Sequence, residues 1–153
     1  TFDPDSILNV VKRSCEIKGH VVEIDPKEQG IRATLNFGHT IGHAIEKLSD
    51  FRLFHGQCVA VGMVAASYLS MKKGYISSDE YSMIRETIAS YDLPVSVSAA
   101  DYNAAEVLAT TKSDKKMAAG QIKFKKIKKV GEAVIDTTLT DDDLLAGINE
   151  VLR

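Results

Sequence analysis

Four polar side chains stand at spacings of four, three and four: Arg32, Asn36, His39 and His43. On an α-helix, residues three and four apart share a face. The spacing therefore predicts one stripe holding a cation, an amide and two imidazoles. A helix face turned to a core is normally apolar. The apolar set here is Leu35, Phe37, Ile41, Ala44, Ile45 and Leu48, largely on other faces, so the stripe faces water or a site. Gly38 and Gly42 favour a site. Each glycine inside a helix costs about 0.8–1 kcal/mol relative to alanine, and two around His39 imply a close approach to the backbone. The plainer alternative is a surface helix packed tightly by a neighbour at both glycines.

His39 and His43 form an H-x-x-x-H pair of the kind that chelates zinc, with His55 as a third candidate ligand. Spacing leaves open which two or three of them bind. Catalytic zinc takes three protein ligands, one commonly Asp or Glu. Glu46 lies a turn beyond His43 and away from His39, so no acidic residue is an obvious third ligand by spacing. Glu28, three residues after Asp25, occupies an ordinary place for glutamate in a first helical turn. Gly30 argues against a continuous helix there and leaves Glu28 on a turn that could present it. Lys112, Lys115, Lys116, Lys123, Lys125, Lys126, Lys128 and Lys129 crowd one stretch with only Asp114 opposing. They read as a solvated hairpin surface or as an anion-binding edge for phosphate or carboxylate. Cys15 and Cys58 read as small core residues.

The elements that must carry these residues are mostly helical. Asp3-Pro4 is a cap and first helical position. Ile7, Leu8, Val11 and Cys15 follow at helical spacing, with Gly19 as the stop and Val21, Val22 and Ile24 as an extended link. Asp25-Pro26 opens the next stretch, and a helix is predicted over 32–48. A third runs from near His55 to Gly74. Ser77 with Glu80 is a capping-box signature, and its helix ends before Leu93-Pro94. Another helix covers roughly 102–112. Residues 121–136 read as a β-hairpin turning at Val130-Gly131-Glu132, and Thr140 with Asp143 caps a last helix over 141–152. The predicted class is mainly α: a helical bundle with a small β-hairpin.

At 153 residues the chain is one domain of ordinary size. Its 44% hydrophobic and 26% charged residues exclude a disordered class. With 19 basic and 21 acidic residues the net charge is −2, which excludes the broad basic field of a nucleic-acid binder. No apolar stretch is long enough to span a bilayer, and no signal peptide stands out. Two cysteines make no disulfide framework, and a reducing cytoplasm is expected. The first residue is Thr1 and not Met, which fits a piece of a longer protein whose site is shared with residues outside it.

The run LNFGHTIGHAIE, preceded by KGHVVEIDPKEQGIR and followed by FHGQCVAVGM, resembles the C-terminal domain of 3-dehydroquinate synthase, a sugar-phosphate cyclase. The likeness continues through SDKK at 113–116 and the IKFKKIKKVGEAVI hairpin. It implies residues 1–153 as a helical metal- and substrate-binding domain, with an N-terminal NAD-binding domain upstream. It also implies a carbon–oxygen lyase that turns 3-deoxy-D-arabino-heptulosonate 7-phosphate into 3-dehydroquinate and phosphate, in the shikimate route to aromatic amino acids. The cofactors implied are NAD and a divalent metal, zinc or cobalt. His39 and His55 match metal ligands, and the third, a glutamate, belongs upstream of Thr1. His43 matches a proton-transfer histidine, and Glu28 a proton acceptor. Lys18, Arg32, Asn36 and one lysine of Lys115-Lys116, here Lys116, match contacts to the phosphorylated sugar-acid substrate. The resemblance further implies a cytoplasmic homodimer with no nucleic-acid or membrane partner. Two other expectations compete: a different cyclase of the superfamily, and an inactive metal-binding helical domain. No G-x-G-x-x-G cradle follows a strand here, so these residues alone are expected neither to bind NAD tightly nor to turn over substrate.

Overall fold

The computed structural model describes residues 3–50, 52–113 and 123–153. They form two compact units, 1–35 and 36–153, each taken by itself.

The first unit is led by α1, Pro4–Ile24. Asp3 caps it, its side chain accepting from the Ser6 N–H at 2.9 Å. Gly19 does not end the helix, and Val21, Val22 and Ile24 are helical rather than extended. A glycine costs a helix stability but stops it only when it turns into the left-handed region, and Gly19 is not among the positive-φ residues. The stop is Asp25, at φ −133° and ψ 70°, because the residue before proline avoids the α region. Cys15, expected in a core, is exposed on this helix.

The predicted helix over 32–48 is two elements. A 3₁₀ helix covers Ile31–Asn36, and α2 runs His39–Leu48. Between them Gly38 takes φ 82° and serves as the α2 N-cap. A left-handed residue cannot continue a right-handed helix. His39 and His43 therefore share a face of α2, whereas Arg32 and Asn36 share none, because their element turns at three residues and not 3.6.

The second unit is built around α3, His55–Lys72, which buries Cys58, Val61, Val64, Ala65 and Leu69 among others. A helix apolar all round has to be enclosed. It packs against α2, against α4 (Ser78–Ser90), against α6 (Asp141–Val151), and against the hairpin strand β1 (Phe124–Lys129). Helix α5, Ala104–Ser113, lies on α2 and α6. The capping boxes expected at Ser77/Glu80 and Thr140/Asp143 both form. The hairpin pairs β1, Phe124–Lys129, with β2, Glu132–Asp136, around Gly131 at φ 89°. The class is thus mainly α with a small antiparallel hairpin, as the sequence indicates. No described helix is long and apolar enough to cross a membrane.

The lysine-rich stretch is not a uniformly solvated surface. Lys126 is buried, paired with buried Asp136 and set 3.8 Å over the Tyr75 ring. Burial opposes charge on both groups, and their pairing prevails: the Asp136 carboxyl is held below its usual range and the Lys126 ammonium above. Lys128 and Lys129 pair with Glu132, and Lys112 with Asp141.

What positions the site is the contact of α2 with α3. A Cβ on Gly38 would lie 2.7 Å from the Met63 backbone nitrogen, and one on Gly42 2.8 Å from the Cys58 carbonyl oxygen. One on Gly62 would collide with the Gly38 carbonyl oxygen and lie 2.8 Å from the Gly42 nitrogen. The two glycines flanking His39 thus mark a neighbouring helix, and α2 is packed into the core rather than lying on the surface: Ile41, Ala44 and Ile45 are all buried. Gly62→Ala should cost at least the ~1–3 kcal/mol of an overpacked core, because backbone and not a flexible side chain fills the space. Gly19→Ala, where nothing lies within 4 Å, should instead stabilise by about 0.4–1 kcal/mol. Urea unfolding of both variants checks the contrast, and a neutral Gly62→Ala would contradict the close contact.

Candidate metal centre

His39 is the first residue of α2, and His43 lies one turn further on the same face. His55 is the first residue of α3. The glycine contact brings the two helices together, and the three rings converge. Their centroids are 5.1, 5.4 and 5.5 Å apart, so ring separation singles out no pair. One nitrogen from each lies within 4.8 Å of the others, and no carboxylate among the described residues joins the group.

The donor set fits a divalent transition metal. Ligand nitrogens on a tetrahedral zinc at ~2.0–2.1 Å sit roughly 3.3–3.4 Å apart, a distance small imidazole rotations reach from here. Imidazole suits zinc, copper, iron and nickel, whereas magnesium and calcium require oxygen. Two of the rings are also oriented. His39 Nδ1 is 3.3 Å from the Phe37 carbonyl oxygen, and His55 Nδ1 is 2.9 Å from Glu46 Oε2. Both oxygens only accept, so in each neutral ring Nδ1 carries the proton and Nε2 the lone pair.

The other expected site residues divide between the units. Asn36 closes the 3₁₀ helix at the head of the second unit. Lys18, Glu28 and Arg32 belong to the first. Lys18 is exposed on α1. Glu28 and Arg32 share a segment organised by the Asp25 carboxylate. It accepts from three backbone N–H groups: Gln29 at 2.9 Å, Gly30 at 2.7 Å and Arg32 at 3.1 Å. Arg32 Nη1 donates to the Pro26 carbonyl at 2.8 Å. The loop holds Glu28 at φ 53°, a conformation uncommon for a residue with a Cβ. Lys115 and Lys116 lie outside the described residues.

Two participants escaped the sequence reading. Asp25 was legible as a helix opener but not as a clamp. Glu46 stands seven residues after His39, on the His39–His43 face by the i, i+4, i+7 rule, so the signal for it was present.

The Asp25 carboxyl is held below its usual range, first by the Gln29 N–H and then by those of Gly30 and Arg32. A depressed folded value means that the clamp's contribution is present above the unfolded value and is lost as pH falls through the folded one. Amide protection at Gly30 and Arg32 should therefore persist down to the ~3.9 at which a free aspartate half-titrates, and fail below it. Asp25→Ala should remove that protection at neutral pH, while Asp25→Asn, keeping one acceptor oxygen, should retain part of it. NMR hydrogen exchange reads all three, and unchanged protection in Asp25→Ala would show that the clamp does not hold the loop.

Comparison with known proteins follows the same lines. Residues 1–117 match the family described as 3-dehydroquinate synthase C-terminal. The chain is 39% identical over 134 residues to the 3-dehydroquinate synthase of Syntrophotalea carbinolica, covering 87% of this chain and 36% of that one. It is 38% identical over 145 residues to that of Thermoanaerobacter pseudethanolicus, covering 94% of this chain and 40% of that one. The chain thus spans well under half the length of these curated relatives. Among solved structures, 2-epi-5-epi-valiolone synthase from Streptomyces hygroscopicus, with NAD+ and Zn2+ bound, superposes with a TM-score of 0.83 at 20% identity, over 97% of this chain and 41% of that one. A 2-deoxy-scyllo-inosose synthase complexed with carbaglucose-6-phosphate, NAD+ and Co2+ gives 0.81 at 19% identity, over 99% and 43%. At that identity the likeness is one of fold.

Proposed function

The chain belongs to the 3-dehydroquinate synthase family, and on that premise we propose that it is the metal- and substrate-binding part of a 3-dehydroquinate synthase. The full-length protein is then an NAD- and metal-dependent lyase that converts 3-deoxy-D-arabino-heptulosonate 7-phosphate to 3-dehydroquinate and phosphate. It works in the cytoplasm as a homodimer. The observation that carries the reading is the convergence of His39, His43 and His55 where α2 meets α3, in a chain 35–39% identical to enzymes of that name.

His39 and His55 would hold the divalent ion, zinc or cobalt, through the nitrogens opposite their engaged Nδ1 atoms. A carboxylate ligand comes from outside these residues. When bound, the metal polarises the hydroxyl that is to be oxidised. NAD, held by a domain outside these residues, supplies the hydride acceptor. His43 moves a proton, as an imidazole can at neutral pH. Glu28 accepts a proton, and the Asp25 clamp fixes the backbone that presents it.

Lys18, Arg32, Asn36 and Lys116 bind the substrate's carboxylate, hydroxyl and phosphate groups. A guanidinium has five N–H donors in a fixed fork. Arg32 directs Nη1 to the Pro26 carbonyl, an anchor from which the fork can serve an anion. A different cyclase of the superfamily is the second reading, and the fold likeness to two such enzymes speaks for it. Sequence identity nearly twice as high favours the dehydroquinate enzyme. Phosphate release by the full-length protein from the heptulosonate phosphate, and not from sugar phosphates that lack a carboxylate, separates the two.

Full-length His39→Ala and His55→Ala should lose bound metal on dialysis. His43→Ala should keep the metal and lose roughly 10²–10⁴ in turnover, the usual worth of a general acid–base group. Elemental analysis with a phosphate-release assay reads both, and equal metal loss in all three would return His43 to the ligand set. Arg32→Lys keeps the charge and loses the fork. Its kcat/KM should fall at least about tenfold, or ~1.4 kcal/mol, with melting within a few degrees of wild type. A collapsed melting point with normal residual activity would make Arg32 a loop anchor only.

A further inference from the structure

We propose that Glu46 is a positioning residue for the metal centre, holding the His55 ring so that Nε2 is offered to the ion. The proposal rests on the reading of the histidine cluster as a metal site. His55 needs such a partner. It is the first residue of α3 and its side chain is 53% exposed, so packing does not lock its two torsions. His39, by contrast, follows the Gly38 turn directly and is held by the Phe37 carbonyl. His55 Nδ1 instead meets Glu46 Oε2 across the helix contact, at 2.9 Å.

Glu46 is well placed to act across the helix contact. It sits on the α2 face that carries His39 and His43, and its own side chain is only 20% exposed. Shielding of this kind strengthens an ion–dipole contact that water would screen. A carboxylate on Nδ1–H fixes the tautomer and raises the basicity of Nε2, the arrangement that orients metal-bound histidines in general. Glu46 is not itself a ligand in this geometry, because its carboxylate lies outside the group of atoms within 4.8 Å. Its negative charge still reaches the ion through the ring, and it offsets part of the dication's charge among neutral imidazoles.

The test uses the full-length protein freed of metal and titrated with Co2+ against a competing chelator, with the visible absorption of the bound ion as a second readout. Wild type, Glu46→Ala, Glu46→Gln and His55→Ala are compared, and the metal-free melting temperature of each is recorded. Glu46→Ala should bind Co2+ about 10–100-fold more weakly, the usual effect of losing an outer-shell partner. Its absorption band should change, and its metal-free melting should match wild type. That result carries the proposal whichever way Glu46→Gln falls: recovery assigns the effect to the hydrogen bond, and no recovery assigns it to the charge. Unchanged Co2+ affinity in Glu46→Ala overturns the proposal. So does a weakened affinity accompanied by an equally lowered metal-free melting point in both Glu46 variants, which would make the contact structural. If wild type binds Co2+ no better than His55→Ala, the metal-centre reading itself fails and the proposal goes with it.

Discussion

The backbone contact between α2 and α3 is the constraint on which the rest of the second unit depends. Three positions on two helices, Gly38, Gly42 and Gly62, carry no side chain, and at each a Cβ would meet backbone atoms of the other element. Backbone does not swing aside as a side chain does, so the helices either meet at this distance or separate. Two consequences follow from the one contact. Ile41 and Ile45 of α2 share one core with Val61, Ala65 and Leu69 of α3, which is where apolar burial contributes most of its stabilisation. On the polar side, the N-terminal residues of both helices, His39 and His55, come within reach of each other. Packing and site are therefore two faces of one junction.

Charge is arranged differently in each of the two units. At the histidine cluster the groups that converge are imidazoles, with Glu46 beside His55. On the 25–32 loop an aspartate is consumed in holding three backbone N–H groups, and Arg32 stands at the end of the clamp. The lysine-rich stretch, which looked like an open basic edge, is partly neutralised where it is described. Lys126 is taken into the core by Asp136, and Lys128 and Lys129 are answered by Glu132. A buried pair of this kind is weak ground for net stability, but removing one member leaves an uncompensated charge. Lys126 is thus a hairpin anchor and not a candidate for anion binding.

Local signals were legible where one residue decides one bond. Asp3, Ser77 and Thr140 each cap the helix that follows, because a short polar side chain can reach an unpaired N–H. Gly131 and its neighbours turned the hairpin as read. What failed was continuity. Gly19 looked like a stop and is helix interior; Gly38 looked like helix interior and is the break. Glycine permits both outcomes at similar cost, so the choice falls to its surroundings: open space at Gly19, and the backbone of α3 at Gly38. No periodicity in 32–48 could report that. The histidines were found by spacing because two lie on one helix. The family resemblance, and not spacing, divided their roles, and the rings stand too evenly for distance to do so.

Glu46 is too far along α2 to join His39 as a ligand, and it still lies beside His55. A ligand has to reach the metal, so a residue two turns from His39 is too far along α2 to join it there. An orienting group has to reach only the far edge of another ligand's ring. His55 enters from α3, near the second turn of α2, and brings that edge to Glu46. Spacing along one helix measures distances within that helix and is silent about the crossing one. Metal ligands tolerate errors of only a few tenths of an ångström, and a ring at an exposed helix start is not held that closely by its backbone alone. The crossing of two helices therefore brings together imidazoles from both elements and, beside the exposed one, an acceptor on the opposite helix.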